Sequence, residues 1–310
     1  MSQTQVYWRS EDRQEIRTKQ SDVGRIIQRV KPNLVGCQSY VGGQIFSEAL
    51  KETPRRSQVT VPGSVVVESQ VDCPFKLDMA LNSVDDMYDG CETEMQNRTL
   101  KEYLQKEQNN KNFKKAWKAA EIYYNNNLWN ERQLSKNQIK ALHAYTLSRP
   151  QLYQEFNKAV REQKAQYQTD FHYHTLHFYL TMALRSLKNG SEECVTSYRR
   201  TPCKFQKDVV NNKIRFGSFT SSSKDDYSEK GFGTESCFEI YTCFGADISP
   251  FSKFENEKEV LIPPYEVFKV TEIEEESTKK LPCKVVYKLR STRETRSYLN
   301  CDLFTQCVVG

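Results

Sequence analysis

Two glutamates stand two positions apart where a charged stretch of the sequence, Phe254 to Lys258, meets an apolar one. Glu259 borders the run Val260–Ile262, which has the composition of a buried strand, and side chains two apart on a strand share a face. Glu257 and Glu259 would then project into one cavity. Such a carboxylate pair suits cleavage of a glycosidic bond, because one acid stabilises an oxocarbenium-like centre while the other takes a proton from the acceptor. The alternative is an ordinary solvated loop.

Two other segments carry groups that bind phosphate or ribose. The segment 215–223 holds the hydroxyl cluster Ser218, Thr220 and Ser221–Ser223 at the end of a predicted strand. This cluster is either a polar turn or a site for a phosphate, a ribose or a catalytic carboxylate. Arg199 and Arg200 end another predicted strand, where a planar, permanently charged guanidinium would bind pyrophosphate unless it lies on an ordinary surface.

A pair of histidines raises the question of a metal. His174 and His177 share one face of a predicted helix, as zinc ligands on helices do. No HExxH motif is present. The neighbouring residues are aromatic or aliphatic, so we favour a buried core helix and predict no metal site.

Two kinds of element, one after the other along the chain, must position these residues. Apolar residues recur at a helical period from Leu77 to about Arg149 and again in Phe171–Leu187, and the chain changes character after Ser191. Strand-length runs follow, separated by turn residues: Cys194–Tyr198, Lys213–Ser221, Cys237–Phe244, Glu259–Ile262, Val267–Ile273, Lys284–Leu289 and Ser297–Leu303. Helices followed by strands indicate an α+β domain. No GxGxxG or Walker loop supports a Rossmann or P-loop nucleotide site.

The composition excludes two classes of protein. The 310 residues include 45 Lys and Arg against 40 Asp and Glu, a net charge of +5. This mixed balance differs from the lopsided charge of nucleic-acid-binding proteins. No stretch approaches the roughly 20 apolar residues of a membrane helix, so we expect no membrane span in this chain. We predict one main domain over residues 73–310. We interpret residues 1–72 as an extension of unknown role, poorly ordered or foreign to that domain.

The cysteines point to an oxidising compartment. Ten cysteines are spread along the chain and no two are closer than six residues, so the CxxC spacing of zinc sites is absent. We read them as disulfide partners. The sequons at Asn97 and Asn189 agree with a glycosylated protein. The polar segment Met1–Ser10 lacks the apolar core of a signal peptide. We therefore expect a leader outside this sequence and an extracellular protein, secreted or anchored to the cell surface.

The order of these groups along the chain carries a resemblance. An arginine on one strand, Phe-Thr-Ser-Ser-Ser on a second and Glu-Lys-Glu at the start of a third resemble the Arg–Ser–Glu signature of the vertebrate arginine-specific ecto-ADP-ribosyltransferases. Further segments look like members of that family: Asp86–Cys91, Tyr173–Thr181, Ile240–Ala246 and Glu259–Glu266. The resemblance covers about Asp78 to Cys307. It implies the ADP-ribosyltransferase fold, in which an N-terminal helical portion packs on two twisted β-sheets with NAD in a central cleft.

The resemblance also implies roles for the signature residues. Arg199 would hold NAD by its phosphate and ribose region, and Ser221 would orient the catalytic glutamate. Glu259 would bind the 2′-hydroxyl of the nicotinamide ribose and stabilise the oxocarbenium as nicotinamide departs. Glu257 would align and deprotonate the incoming guanidinium, within an acceptor-recognition loop over 251–258.

Other positions are similar to family contacts or depart from them. Tyr145, Ser218 and Ser252 resemble NAD contacts, and Tyr198 and Phe219 would line the nicotinamide pocket. Many members carry glutamine where this chain has Ser218. Many also carry glycine at the position of Arg200, whose bulk and charge would either crowd the NAD phosphates or bind them.

The resemblance pairs four of the cysteines. It implies disulfides Cys91–Cys301, from the first helix to the last strand, and Cys194–Cys243, beside the strand of Arg199. It assigns no partners to six others: Cys37, Cys73, Cys203, Cys237, Cys283 and Cys307.

Three functions remain open on the sequence. The first is an enzyme that moves ADP-ribose from NAD or NADP to arginine side chains of acceptor proteins. The second is an NAD glycohydrolase, which would need Glu259 but not Glu257. The third is a non-catalytic recognition protein with the same fold, against which the intact Arg–Ser–Glu set argues. We expect a monomer that binds NAD as substrate and does not bind nucleic acid.

Overall fold

Six α-helices and ten β-strands make up the part of the chain that the structure describes. The computed structural model describes residues 71–73, 76–129, 133–189, 191–225, 233–275 and 281–304. These lie in the second of two compact units, Val65–Gly310. The predicted extension up to residue 70, Cys37 and Cys307 lie outside the described residues. Among the described helices, none has the length and apolar character needed to cross a bilayer.

The helices come first, as their apolar periodicity predicts. Their bounds are α1 Glu92–Arg98, α2 Leu104–Glu107, α3 Lys111–Asn125, α4 Lys136–Thr146, α5 Leu152–Glu162 and α6 His174–Lys188, with a π-helical turn, Thr99–Tyr103, between α1 and α2. The side chain of Asn110 accepts two backbone amides at the start of α3. A capping box between Ser135 and Gln138 starts α4. The apolar faces of the helices bury one core that is rich in aromatic side chains.

The strands follow and form one large sheet and one small one. Their bounds are β1 Val71–Asp72, β2 Val195–Thr201, β3 Cys203–Lys204, β4 Lys213–Ile214, β5 Thr220–Ser223, β6 Ser236–Thr242, β7 Ala246–Asp247, β8 Glu259–Ile262, β9 Glu266–Glu274 and β10 Val285–Thr295. The eight-stranded sheet has the order β4-β9-β10-β6-β2-β5-β8-β7, and β1 pairs with β3 in parallel. The α+β class is confirmed.

The large sheet is nearly divided between β2 and β5. A single residue pair, Tyr198 and Ser223, joins these two strands, whereas β2 pairs with β6 along seven residues. On one side of this junction stand β4, β9, β10, β6 and β2, and on the other β5, β8 and β7. A second apolar core, with Phe238 and Ile240 from one half and Val260 and Ile262 from the other, fills the space between them. The predicted pair of sheets is thus present as two halves of one hydrogen-bonded sheet.

A buried ion pair explains two differences from the predicted elements. The predicted strand over 213–221 is broken into β4 and β5, because the side chain of Arg215 turns inward to Asp85, with Nη1 to Oδ2 at 2.6 Å. Gly217 lies in the break at φ +69°, and a Cβ there would stand 2.6 Å from Ala80 Cβ. The residues from Leu77 to Cys91, predicted as helical, form no helix. The backbone carbonyls of Met79 and Ala80 accept from the Arg215 guanidinium instead.

The last predicted strand, Ser297–Leu303, is wrong. The segment forms turns, because its backbone amides bind side-chain carboxylates rather than a neighbouring strand. Asp85 Oδ1 accepts from the amides of Tyr298 and Leu299, and Asp86 Oδ1 accepts from that of Cys301. Cys301 also has a positive φ of 59°, which a strand does not allow.

Four disulfides link distant parts of the described chain. Cys91–Cys301 joins the start of α1 to the C-terminal turns, and Cys194–Cys243 joins the ends of β2 and β6. Two further bonds involve cysteines for which the sequence offered no partner: Cys73–Cys203 and Cys237–Cys283. The first holds β1 against β3 next to the end of the strand that carries Arg199.

Both sequon asparagines expose their side chains. Asn97 lies in α1, and Asn189 directly follows α6. An accessible side chain is what a glycan requires. Their glycosylation stays a prediction.

Candidate active site

Strands β2 and β5 bring two of the signature residues together at the junction of the sheet halves. Arg199, the fifth residue of β2, reaches across so that Nη1 donates to the backbone carbonyl of Ser221 at 2.6 Å. The bond forms where the strands share their single residue pair. The guanidinium therefore lies at the junction of the halves, and it keeps other N–H donors for a ligand.

Glu259 begins β8, and the register of the sheet places it beside Ser223 of β5. Its side chain is buried, with only 6% of the residue exposed. Oε2 accepts from Ser252 Oγ at 3.1 Å. Burial raises the pKa of Glu259 above its ordinary value, while hydrogen bonds from Ser221 and Ser252 oppose that rise by favouring the ionised form. The result is a carboxylate held in one orientation by two hydroxyls in a water-poor setting.

Glu257 lies close to Glu259, but it does not lie on the same strand as predicted. It ends a short 3₁₀ turn, Glu255–Glu257, and Lys258 then adopts a left-handed conformation at φ 45°. Ser223 Oγ donates to the carbonyl of Glu257 at 2.7 Å and fixes this turn. Glu257 is half-buried, and its charge contributes to the raised pKa of Glu259. The two acids are neighbours because of a turn, so the argument from a shared strand face is wrong.

Tyr145 lies beside the hydroxyl cluster that includes Ser218 and Ser221. Tyr145 of α4 donates from its hydroxyl to the carbonyl of Phe219 at 3.2 Å and accepts from Asn157 Nδ2 at 3.0 Å. Burial raises its pKa to about 12, and its hydroxyl also hydrogen-bonds to the Ser221 side chain. Tyr145 therefore stays protonated and serves as a hydrogen-bonding group rather than as a base.

Helix α5 supplies two residues that the sequence reading missed. Arg161 donates from Nη1 to Ser218 Oγ at 2.7 Å, and Asn157, one turn earlier, contacts Tyr145. Burial lowers the pKa of Arg161, and the nearby charge of Arg199 lowers it further. Two guanidinium groups thus face one region. The i, i+4 spacing of Asn157 and Arg161 on α5 was visible in the sequence. It does not distinguish these two residues from the other polar residues of that helix.

Three expectations about the pocket are wrong. Arg200 is buried and donates from Nε to the carbonyl of Gly233 at 3.1 Å, so its guanidinium binds the chain that leads into β6. Tyr198 packs against the cluster around the Cys237–Cys283 disulfide. Phe219 is buried in the helical core against Phe156. Successive side chains of β2 point to opposite faces of the sheet, so Tyr198 and Arg200 lie on the face away from Arg199. The expectations from the sequence did not take this alternation into account.

The two helix histidines are core residues. His177 Nε2 bonds to the carbonyl of Val84 at 3.0 Å, so this nitrogen carries the proton and Nδ1 accepts from the Tyr88 hydroxyl at 2.7 Å. Burial lowers the pKa of His177 to about 4 and that of His174 to about 3. Both are neutral at physiological pH. No group of three or more potential metal-binding side chains comes together within the described ranges.

The site can stabilise positive charge that develops beside Glu259. Its carboxylate is preoriented and poorly solvated, which strengthens its interaction with a cation. Arg199 and Arg161 provide positive charge for the phosphates of a dinucleotide. Glu257, which is more exposed than Glu259, adds a second carboxylate close to the first. This combination suits cleavage of a glycosidic bond that links an anionic nucleotide to a positively charged leaving group.

Ser252 gives a test of how Glu259 is tuned. We expect Ser252→Ala to raise the pKa of Glu259 further, because the lost hydrogen bond favours the ionised carboxylate. Activity that needs this carboxylate ionised is present above its pKa and is lost as pH falls through it. The acidic limb of the kcat/KM profile should therefore move to higher pH, which steady-state rates between pH 4 and pH 9 will measure. Ser249→Ala, whose hydroxyl does not bond to Glu259, should leave the limb in place, and an unmoved limb in Ser252→Ala would contradict this role.

Comparisons with known proteins agree with this geometry. Residues 77–292 match the sequence model of a protein family described as NAD:arginine ADP-ribosyltransferase. The chain is 34% identical over 245 residues to an ecto-ADP-ribosyltransferase 5 of Bos taurus, covering 73% of both chains. It is 36% identical over 200 residues to an NAD(P)(+)--arginine ADP-ribosyltransferase 1 of Gallus gallus, covering 63% of this chain and 64% of that protein.

Solved structures agree as well. The crystal structure of the eukaryotic mono-ADP-ribosyltransferase ART2.2 superposes with a TM-score of 0.63 at 33% identity, covering 74% of this chain and 99% of that one. A variant of the same protein in complex with NAD superposes with a TM-score of 0.61 at 32% identity and the same coverage. The fold, the assembled Arg–Ser–Glu residues and these matches lead to one conclusion: this chain belongs to the NAD:arginine ADP-ribosyltransferase family.

Proposed function

We propose that the protein is a mono-ADP-ribosyltransferase that moves ADP-ribose from NAD to arginine side chains of proteins and releases nicotinamide. The observation that carries this proposal is the setting of Glu259. It is a buried carboxylate held by Ser221 and Ser252 beside the Arg199 guanidinium, with a second acid, Glu257, close to it. The two hydroxyls favour the ionised form of Glu259, which is the form that stabilises a neighbouring cation.

The reaction breaks the bond between C1′ of the ribose and the nicotinamide nitrogen, and the bonding electrons leave with neutral nicotinamide. Positive charge grows on C1′ and the ring oxygen, where the Glu259 carboxylate stabilises it. A guanidino nitrogen of the acceptor then bonds to C1′, and its proton passes to Glu257. An adjacent carboxylate is needed because the guanidinium has a very high pKa and is a poor nucleophile while protonated.

The remaining site residues hold the dinucleotide in place. Arg199 and Arg161 bind the pyrophosphate, and Tyr145 and Ser218 contact the sugar or phosphate region between them. Ser252 acts chiefly through Glu259, because its hydroxyl donates to that carboxylate and accepts from the amide of Phe254. The substrate is NAD, and the names of relatives that act with NAD(P) extend this proposal to NADP.

Glu257 separates transfer from hydrolysis. We expect Glu257→Gln to lose about 100-fold or more in transfer to an arginine acceptor, the size of a general-base effect. Cleavage of NAD by water should persist, because Glu259 and its partners are untouched. The measurement is nicotinamide release from NAD with and without agmatine, a small guanidino compound. Glu235→Gln, an acid just before β6 that pairs with Lys284, should change neither rate. Loss of both reactions in Glu257→Gln would reject the division of roles.

We place the protein outside the cell. Four disulfides in the described chain persist only in an oxidising compartment. Relatives carry the names of ecto-enzymes, and a mouse relative at 37% identity over 215 residues is named as GPI-linked. We propose a secreted or surface-anchored monomer whose partners are NAD and proteins with exposed arginines.

A further inference from the structure

A groove opens beside Ser252, the residue whose hydroxyl donates to the catalytic glutamate. It has a volume of about 410 Å³ and lies between α3, α4 and the acceptor loop. It is lined by Ala119, Ile122 and Tyr123 of α3, by His143 of α4 and the following Leu147, and by Ser252, Lys253 and Glu255 of the acceptor loop. The volume falls within the range of ligand pockets and is large enough for one bulky side chain with its backbone.

The groove is continuous with the active site through one residue. Ser252 lines it and at the same time donates to the Glu259 carboxylate at 3.1 Å. Glu255 and Glu257 belong to the same 3₁₀ turn, so one acid borders the groove while the other lies beside Glu259. The groove therefore lies within a few residues of a polypeptide whose arginine reaches Glu257.

The groove is rigid. Three hydrogen bonds tie the loop to the helices: the Tyr123 hydroxyl donates to the carbonyl of Pro250 at 3.2 Å, His143 Nδ1 bonds to the carbonyl of Phe251 at 3.2 Å, and the amide of Lys253 donates to Thr146 Oγ1 at 2.9 Å. The rings of Tyr123 and His143 stack at 3.6 Å, nearly parallel. A site that is already formed loses little entropy when a ligand binds.

The groove has an exposed apolar wall and charges of both signs. Ile122 lines it and is 53% exposed on α3. Lys253 and Glu255 line it from the acceptor loop, and Phe254 between them is 41% exposed. The apolar surface of Ile122, close to the active-site carboxylates, matches an acceptor chain that has an apolar residue near its arginine.

We infer that this groove, defined by Ile122, Tyr123, His143, Ser252 and Glu255, binds an apolar side chain of the acceptor polypeptide close to the modified arginine. The inference rests on the proposed transferase function and adds a preference within its acceptors. The arginine alone satisfies Glu257, so a small guanidino compound uses the chemical site and leaves the groove empty. Peptide acceptors with a flanking leucine use both.

The test compares acceptors that do and do not reach the groove. The probes are agmatine, a glycine peptide with a single arginine, and two variants of that peptide with leucine two positions before or after the arginine. With the natural enzyme, one leucine peptide should have a kcat/KM about fivefold above the glycine peptide, since roughly half of a leucine side chain leaves water. Ile122→Ser should remove this advantage and leave the rate with agmatine unchanged. Leu100→Ser, an exposed apolar residue in the π-helical turn, is the matched control and should preserve the advantage.

Each result decides between two readings. Equal kcat/KM for all three peptides with the natural enzyme, or a leucine advantage that survives Ile122→Ser, would overturn the groove while the transferase function stands. A raised KM for NAD in Ile122→Ser would assign the groove to the dinucleotide and would also overturn it. If no acceptor, agmatine included, receives ADP-ribose from the natural enzyme, the proposed function itself fails and the inference falls with it.

Discussion

Glu259→Gln should lower the rate of ADP-ribose transfer by about 1,000-fold or more while NAD still binds. The amide has the shape of the carboxylate and still accepts a hydrogen bond from Ser252. It lacks the negative charge that stabilises the oxocarbenium in a poorly solvated site, and loss of one such electrostatic contact costs about 100- to 1,000-fold. Loss of the bond to the 2′-hydroxyl adds to that effect. Single-turnover release of nicotinamide measures the rate, and calorimetry measures the affinity for NAD.

A second buried glutamate gives the control. Glu266 is also fully buried in the sheet, where it accepts from Thr242 Oγ1 at 2.6 Å and from the amide of Cys243 at 2.8 Å. Glu266→Gln should lower stability through those contacts, and the folded enzyme should keep its kcat. Transfer within tenfold of the natural rate in Glu259→Gln would show that the charge is not used in the reaction.

Asp85→Ala should destabilise the domain by about 3–5 kcal/mol, because it leaves a buried guanidinium without its counter-charge. The side chains of Asp85 and Arg215 are both 0% exposed, and Nη1 lies 2.6 Å from Oδ2. Asp85 also accepts from the amides of Tyr298 and Leu299, so the substitution frees the C-terminal turns as well. Urea unfolding with the disulfides intact measures the loss.

A surface ion pair next to Arg215 in the sequence gives a comparison for the stability effect. Lys213 Nζ lies 2.8 Å from Glu294 Oε2, but both side chains are about half exposed. Solvent and salt screen such a pair, so Glu294→Gln should leave the unfolding midpoint almost unchanged. Similar midpoints for Asp85→Ala and the natural protein would mean that the buried pair does not hold the chain segments before α1 and after β10.

Local patterns in the sequence predicted most elements but not how they meet. The run Val260–Ile262 is apolar throughout and forms the buried part of β8 as expected, since a continuous apolar run has one stable environment. The segment 297–303 has similar local character and forms turns. The difference comes from Asp85 and Asp86, more than 200 residues earlier, whose carboxylates take its amides. A partner so distant in sequence leaves no local sign.

In the candidate site, too, the sequence predicted single residues but not the long-range contacts that position them. The order of Arg199, Ser221 and Glu259 along the chain identified them, because it resembles the Arg–Ser–Glu signature of the family. Arg161 was missed, since its position depends on the packing of α5 against the hydroxyl cluster. Arg200 was placed beside the cofactor because alternation along β2 was not applied to it. Pairing between strands and helix packing are long-range events, and a single sequence records neither.

The products formed from NAD in one reaction test the proposed transfer of ADP-ribose most directly. The natural enzyme is incubated with NAD and agmatine, and the products are separated, identified and quantified by mass spectrometry. We expect nicotinamide and ADP-ribosylated agmatine in equal amounts, with neither formed by Glu259→Gln. Free ADP-ribose as the only product, or equal yields of the agmatine adduct from both proteins, would contradict it.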